Sequence, residues 1–106
     1  LSRALQFKTI TLAAGDPRPG QEGEWLALHA WLEETYPAAH AAMTKEVVPG
    51  TLTLLYTWPG SDASLKPVVL MAHQDVVPVN IGTEGDWEGG PFEGAIIDGY
   101  IYGRGT

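Results

Sequence analysis

The chain has 106 residues, and six Lys+Arg against thirteen Asp+Glu leave a formal charge of −7. That balance excludes a basic face for a nucleic-acid backbone, and 44% hydrophobic with 18% charged residues argues against wholesale disorder. The absence of cysteine excludes disulfides, thiolate metal ligands and a Cys nucleophile, and no apolar run reaches the ~20 residues of a membrane span.

Taken in order, residues 1–14 read as a helical turn followed by an extended piece, Phe7–Leu12. Asp16-Pro17-Arg18-Pro19-Gly20 reads as an exposed loop, because two prolines fix φ and bias their predecessors away from the helix. A helix is predicted over 21–36, with Trp25, Leu28, Leu32 and Tyr36 as its apolar stripe and Pro37 as its stop. Residues 38–43 are ambiguous. Lys45–Val48 and Thr51–Trp58 read as strands; in the second, Leu52, Leu54 and Tyr56 alternate with Thr53, Leu55 and Thr57. Val68–Ala72 is a continuous apolar run, the pattern of a strand covered on both faces at the centre of an α/β sheet. Residues 79–93 form a Gly-rich acidic loop. Gly94–Gly103 reads as a hairpin turning on Asp98-Gly99, a pair suited to a type I′ turn.

The chemistry concentrates in Met71-Ala72-His73-Gln74-Asp75. A strand ending there would deliver His73 and Asp75 to one side, ~6.6 Å apart, at the C-terminal strand end where open α/β sheets bind ligands. An imidazole can hold a metal through one nitrogen while its other N–H donates to a carboxylate. The same pair also suits a plain hydrogen bond at a strand end, and both readings stand at this point.

The other chemistry-bearing residues read more plainly. His29 is a packing or partly exposed helix residue, and His40 a surface residue. Glu33-Glu34 is a solvated helix pair. Glu84, Asp86, Glu88 and Glu93 lack the spacing of a calcium loop and read as a solvated acidic loop. Trp87 and Phe92 are either core anchors of that loop or walls of a pocket. Asp98 is a turn residue, and Arg104 either holds the loop that follows it through hydrogen bonds or is a plain surface charge, with loop support preferred. No G-x-S-x-G elbow is present, which sets aside a serine-type α/β hydrolase.

Leu70-Met71-Ala72-His73-Gln74-Asp75-Val76-Val77-Pro78-Val79, then Trp87, Gly90-Pro91-Phe92-Glu93-Gly94, and Asp98-Gly99-Tyr100-Ile101-Tyr102-Gly103-Arg104-Gly105-Thr106 together resemble the M20 family of zinc metallopeptidases. The carboxypeptidase S and N-acyl-amino-acid hydrolase branch is the nearest in pattern. Leu5–Ile10 and Leu28–Pro37 extend the likeness over nearly the whole chain.

The resemblance implies a mixed, mostly parallel α/β sheet flanked by helices, here incomplete. It implies His73 as a zinc ligand and Asp75 as the catalytic-site acid that orients it. Two zinc ions, with cobalt as an alternative divalent, would serve the complete enzyme. A bridging aspartate, the Glu-Glu pair with the general base, and the remaining ligands would lie beyond Thr106. The chain would be the N-terminal part of the catalytic domain, without the lid or dimerisation domain. Leu1 in place of Met, and an end directly after Gly103-Arg104-Gly105, fit a piece cut at both ends.

The implied substrate is a peptide or an N-acyl amino acid, with peptidase and acylase left open. Nucleic acid is not an expected partner. A homodimer or a self-associating piece is expected, because an open sheet edge invites another chain. A cytoplasmic location is preferred, and export stands beside it because the true N-terminus is not visible. The competing reading is a metal-free, non-catalytic α/β binding or structural module.

Overall fold

The structure is a computed structural model that describes residues 1–106. It holds helices α1 (Gly23–Thr35) and α2 (Pro37–Ala42) and strands β1 (Thr44–Val47), β2 (Leu54–Thr57), β3 (Ala95–Ile97) and β4 (Tyr100–Tyr102). Short 3-10 turns lie at Ala4–Gln6 and Glu84–Asp86. The chain divides into two compact units: Leu1–Leu28 with Gln74–Thr106, and His29–His73. No helix is long and apolar enough to cross a membrane.

In the first unit the core residues are Leu5, Phe7, Trp25 and Leu28. The expected extended piece after the first turn is present, and it pairs in parallel with the end of the motif segment, Ile10 opposite Val76. The Val76 N–H donates to the Thr9 carbonyl at 2.9 Å, and the Thr11 N–H donates to the Val76 carbonyl at 3.0 Å. The Thr9 hydroxyl, 2% exposed, donates to the Gln74 carbonyl at 2.6 Å, so the buried polar side chain is satisfied. Ser2 Oγ donates to the Gly94 carbonyl at 2.5 Å and Gln6 Nε2 to that of Glu93 at 3.0 Å. A Cβ on Gly94 would run into the Ser2 carbonyl, which is why no larger residue fits there.

The hairpin at the end of this unit turns where Asp98-Gly99 foretold. Asp98 has φ 50° and Gly99 φ 84°, both positive as a type I′ turn requires. Ahead of α1, the Asp16 carboxylate closes a tight loop by accepting the Leu12 and Ala13 N–H groups at 2.8 and 2.9 Å. Those two bonds, aided by Arg18, hold its pKa below the ordinary value.

The second unit holds the β1–β2 antiparallel pair, with Thr44 opposite Thr57 and Val47 opposite Leu54. The alternation in β2 is as read: Leu54 and Tyr56 are half-buried, and Leu55 and Thr57 exposed. Residues 38–43, ambiguous in sequence, carry most of α2, with Pro37 in its first turn. Proline can end one helix and open the next because its missing N–H is not needed in a first turn. His40 differs from its surface reading. It is half-buried, with Nδ1 2.9 Å from the Tyr36 carbonyl and Nε2 2.9 Å from the Tyr56 hydroxyl. The carbonyl only accepts, so Nδ1 is the donor of that bond, and Nε2 is left to pair with the Tyr56 hydroxyl. Burial pushes the Tyr56 hydroxyl's pKa up, which keeps that proton in place. His29 is 6% exposed, within the packing reading. Glu33 pairs with Lys45, so it is an ion-pair partner rather than merely solvated.

The chain is α/β as expected; the sheets present are two antiparallel pairs, and parallel pairing is confined to the Ile10–Val76 bridge. A further expectation is corrected. Val68–Ala72 is not a covered strand. Val68, Val69, Leu70 and Met71 are 84%, 76%, 91% and 91% exposed in irregular backbone. The apolar composition is a strand's, but no strand of this chain hydrogen-bonds to it, and a strand exists only as part of a ladder.

Gly99→Ala is expected to cost about 1–2 kcal/mol, the price of a left-handed backbone for a residue with a Cβ, read by urea unfolding. The low pKa of Asp16 means the fold favours its charged form. Its contribution is full above the unfolded value near 3.8 and is lost as pH falls through the lower folded value. Asp16→Asn keeps an acceptor oxygen and removes that dependence, so the variant should lose less stability than the parent on acidification below pH ~4.

Candidate functional site

His73 and Asp75 do not emerge from a buried strand. His73 is exposed and closes the second unit, in irregular backbone. Asp75 is half-buried in the first unit, one residue before the Ile10–Val76 bridge. The bridge and the Thr9 hydroxyl hold the backbone on both sides of Asp75, at Gln74 and at Val76.

The segment 103–106 lies against the Val76 side chain at Gly105. Gly103 is buried, and a Cβ there would sit 3.2 Å from Leu5 Cδ1 and 3.4 Å from the Pro91 carbonyl. The Arg104 N–H donates to that carbonyl at 2.7 Å. The Arg104 guanidinium lies 4.5 Å from the centre of the Trp87 ring, and its buried Nε has no hydrogen-bond partner. A flat guanidinium on an indole face is a favourable cation–π contact. Phe92 is likewise half-buried, with Lys8 Nζ 5.8 Å from its ring centre. Both aromatic residues therefore tie the acidic loop to cations of the first unit. In that loop Glu84 and Asp86 stand in an exposed turn, where Glu84 caps the Gly82 N–H at 2.9 Å.

Sequence reasoning missed the stack of Arg104 on Trp87 and the close approach of Gly105 to Val76, where an added Cβ would lie 2.8 Å from Cγ1. The stacked pair lies seventeen positions apart in sequence, and no short spacing announces such a contact.

The donors suit a metal in kind and fall short in number. An exposed imidazole and a neighbouring carboxylate are zinc-type donors, but a zinc site takes three or four protein ligands. No group of three or more His, Asp or Glu side chains gathers closely enough to hold a metal ion. A cleft of about 340 Å³ in the first unit is lined by Lys8, Ile10, Asp16, Arg18, Glu24 and Trp25 among others, and contains neither His73 nor Asp75.

Residues 69–106 match the sequence model described as Peptidase family M20/M25/M40. Carboxypeptidase S of Saccharomyces cerevisiae is 40% identical over 112 residues, covering 100% of this chain and 19% of its own length. N-fatty-acyl-amino acid synthase/hydrolase PM20D1 of Bos taurus is 33% identical over 107 residues, covering 100% of this chain and 20% of its own. Aminoacylase-1 of Sus scrofa is 43% identical over 87 residues, covering 80% of this chain and 21% of its own. The chain spans about a fifth of the length of these curated relatives. No solved structure matches it. The matched segment runs from Val69 through the His73-Gln74-Asp75 motif to Thr106, and with carboxypeptidase S aligned over the whole chain it makes the chain similar to the M20 peptidase family along its length.

Proposed function

We propose that this chain is the N-terminal part of the catalytic domain of a dinuclear-zinc hydrolase that cleaves the amide bond of a peptide or an N-acyl amino acid. The observation that carries the proposal is the coincidence of His73-Gln74-Asp75 with a family match that runs unbroken to Thr106. The relatives' names divide between carboxypeptidase and acyl-amino-acid hydrolase, so the substrate class is an amide next to an amino-acid carboxylate.

His73 is the proposed zinc ligand. Asp75 is the acid that accepts from its second ring nitrogen, fixing the tautomer and raising the basicity of the ligating one. Trp87, Phe92 and Arg104 support the loop beside this segment. The zinc ions, when bound, supply Lewis-acid polarisation of the amide carbonyl and bring the pKa of water towards ~7. The general base, the bridging aspartate and the other ligands lie beyond Thr106 in this proposal, within a more extensive, mostly parallel sheet. One imidazole and one carboxylate do not make a zinc site, so the 106-residue piece alone is inactive. Its exposed Val68–Met71 run makes it self-associate.

The complete protein should hydrolyse dipeptides or N-acyl amino acids, lose activity to a chelator and regain it with zinc or cobalt. His73→Ala should lower both zinc affinity and kcat/KM by at least about 100-fold, whereas Asp75→Asn should lower zinc affinity about 10–100-fold. Activity indifferent to chelation, or unaltered zinc affinity in His73→Ala, points instead to a metal-free module. Sedimentation of the 106-residue piece should show oligomers that grow with concentration, and a monomer throughout contradicts the self-association.

A further inference from the structure

We infer that Gly105 is a positioning residue for Asp75. This rests on the functional reading above. Gly105 adopts φ +95°, and a Cβ placed there would lie 2.8 Å from Val76 Cγ1, closer than side-chain carbons approach, with Leu5 Cδ2 at 4.0 Å. Val76 directly follows Asp75. The absence of a side chain at 105 therefore lets the turn 103–106 rest against the Val76 side chain.

The turn is itself anchored, so it acts as a stop rather than a flexible cover. Gly103 is buried beside Leu5 and Pro91. The Arg104 N–H is bonded to the Pro91 carbonyl at 2.7 Å. The Arg104 guanidinium is stacked on Trp87 at 4.5 Å. Val76 is held on its backbone by Thr9 and Thr11, and on its side chain by Gly105. Asp75 is thus set between two fixed points, the Thr9 hydroxyl bond at Gln74 and the doubly held Val76. Any atom added at 105 pushes on Val76, and the push passes through one peptide unit to the Asp75 carboxylate.

The test is a double-mutant cycle in the complete protein, with zinc affinity as the main readout and the split between kcat and KM as the second. Gly105→Ala should weaken zinc binding about 10–100-fold, the range for a disturbed partner of a metal ligand, and lower kcat more than it raises KM. Adding Val76→Ala removes Cγ1 and should recover about tenfold of that loss, because the collision is gone while the backbone strain stays. Gly99→Ala is the control. Gly99 also has positive φ, at +84°, but a Cβ there meets nothing within 4 Å. It should lower the unfolding temperature and leave zinc affinity unchanged. Should Gly105→Ala fail to fold, Val76→Ala alone opens the same contact from the other side, and a several-fold loss of zinc affinity is expected from it.

The inference is overturned if Gly105→Ala behaves as Gly99→Ala does, if the two substitutions are additive, or if Val76→Ala alone leaves zinc affinity unaltered. A wild-type protein without zinc-dependent hydrolysis overturns the functional reading and this inference with it; an active wild type with an additive cycle overturns this inference alone.

Discussion

Three hydrogen bonds between residues 9–11 and 74–76 hold the first unit together. Two are backbone bonds about the Ile10–Val76 bridge, and the third runs from the buried Thr9 hydroxyl to the Gln74 carbonyl. They close a loop of some sixty-five residues, and loop-closure entropy makes such a contact expensive to form from the chain alone. It is repaid by what it brings together. Leu5 and Phe7 become core, and the segment carrying Asp75 gains a fixed backbone. The Ser2–Gly94 and Gln6–Glu93 bonds extend the same join to the far side of the acidic loop. A valine in place of Thr9 would keep the shape and leave the Gln74 carbonyl short of its donor, which is why the position needs a hydroxyl.

The features legible in the sequence are those fixed within a few residues. Asp98-Gly99 named its turn because few residues tolerate two consecutive positive φ angles. Leu54, Leu55, Tyr56 and Thr57 named their faces because side chains alternate in any strand, whatever its partner. Pro37 was legible as a stop and not as a start, since the same fixed φ serves both and only the following Ala38–Ala42 decides. The α1 stripe was legible in part: Trp25 and Leu28 are buried, whereas Tyr36 is half exposed and offers its ring to the edge of Trp31.

What was not legible depends on partners distant in the chain. His40 looked like a surface residue because nothing nearby in sequence reveals that Tyr56 will meet its Nε2. The Arg104–Trp87 stack and the Gly105–Val76 approach are of the same kind. The motif His73-Gln74-Asp75 was legible as chemistry, because residue types carry chemistry directly. Its setting was not, because a strand needs a neighbour, and composition says only that one is wanted.

That last distinction explains the largest departure from expectation. Burying a valine, leucine or methionine side chain is worth about 1.5–3 kcal/mol. Covering Val68, Val69, Leu70 and Met71 would therefore contribute on the order of 6–12 kcal/mol, comparable to the whole stability of a typical domain. The sequence thus commits a domain's worth of driving force to a stretch that the chain's own strands leave in water. The Ile10–Val76 bridge shows that the backbone just beyond it already accepts a parallel neighbour. Parallel pairing that continued from Val76 back through this run would bury the apolar side chains and order His73 in the same step. The hydrophobic effect and the ordering of His73 are then one problem, because the residues that want burial are joined directly to it.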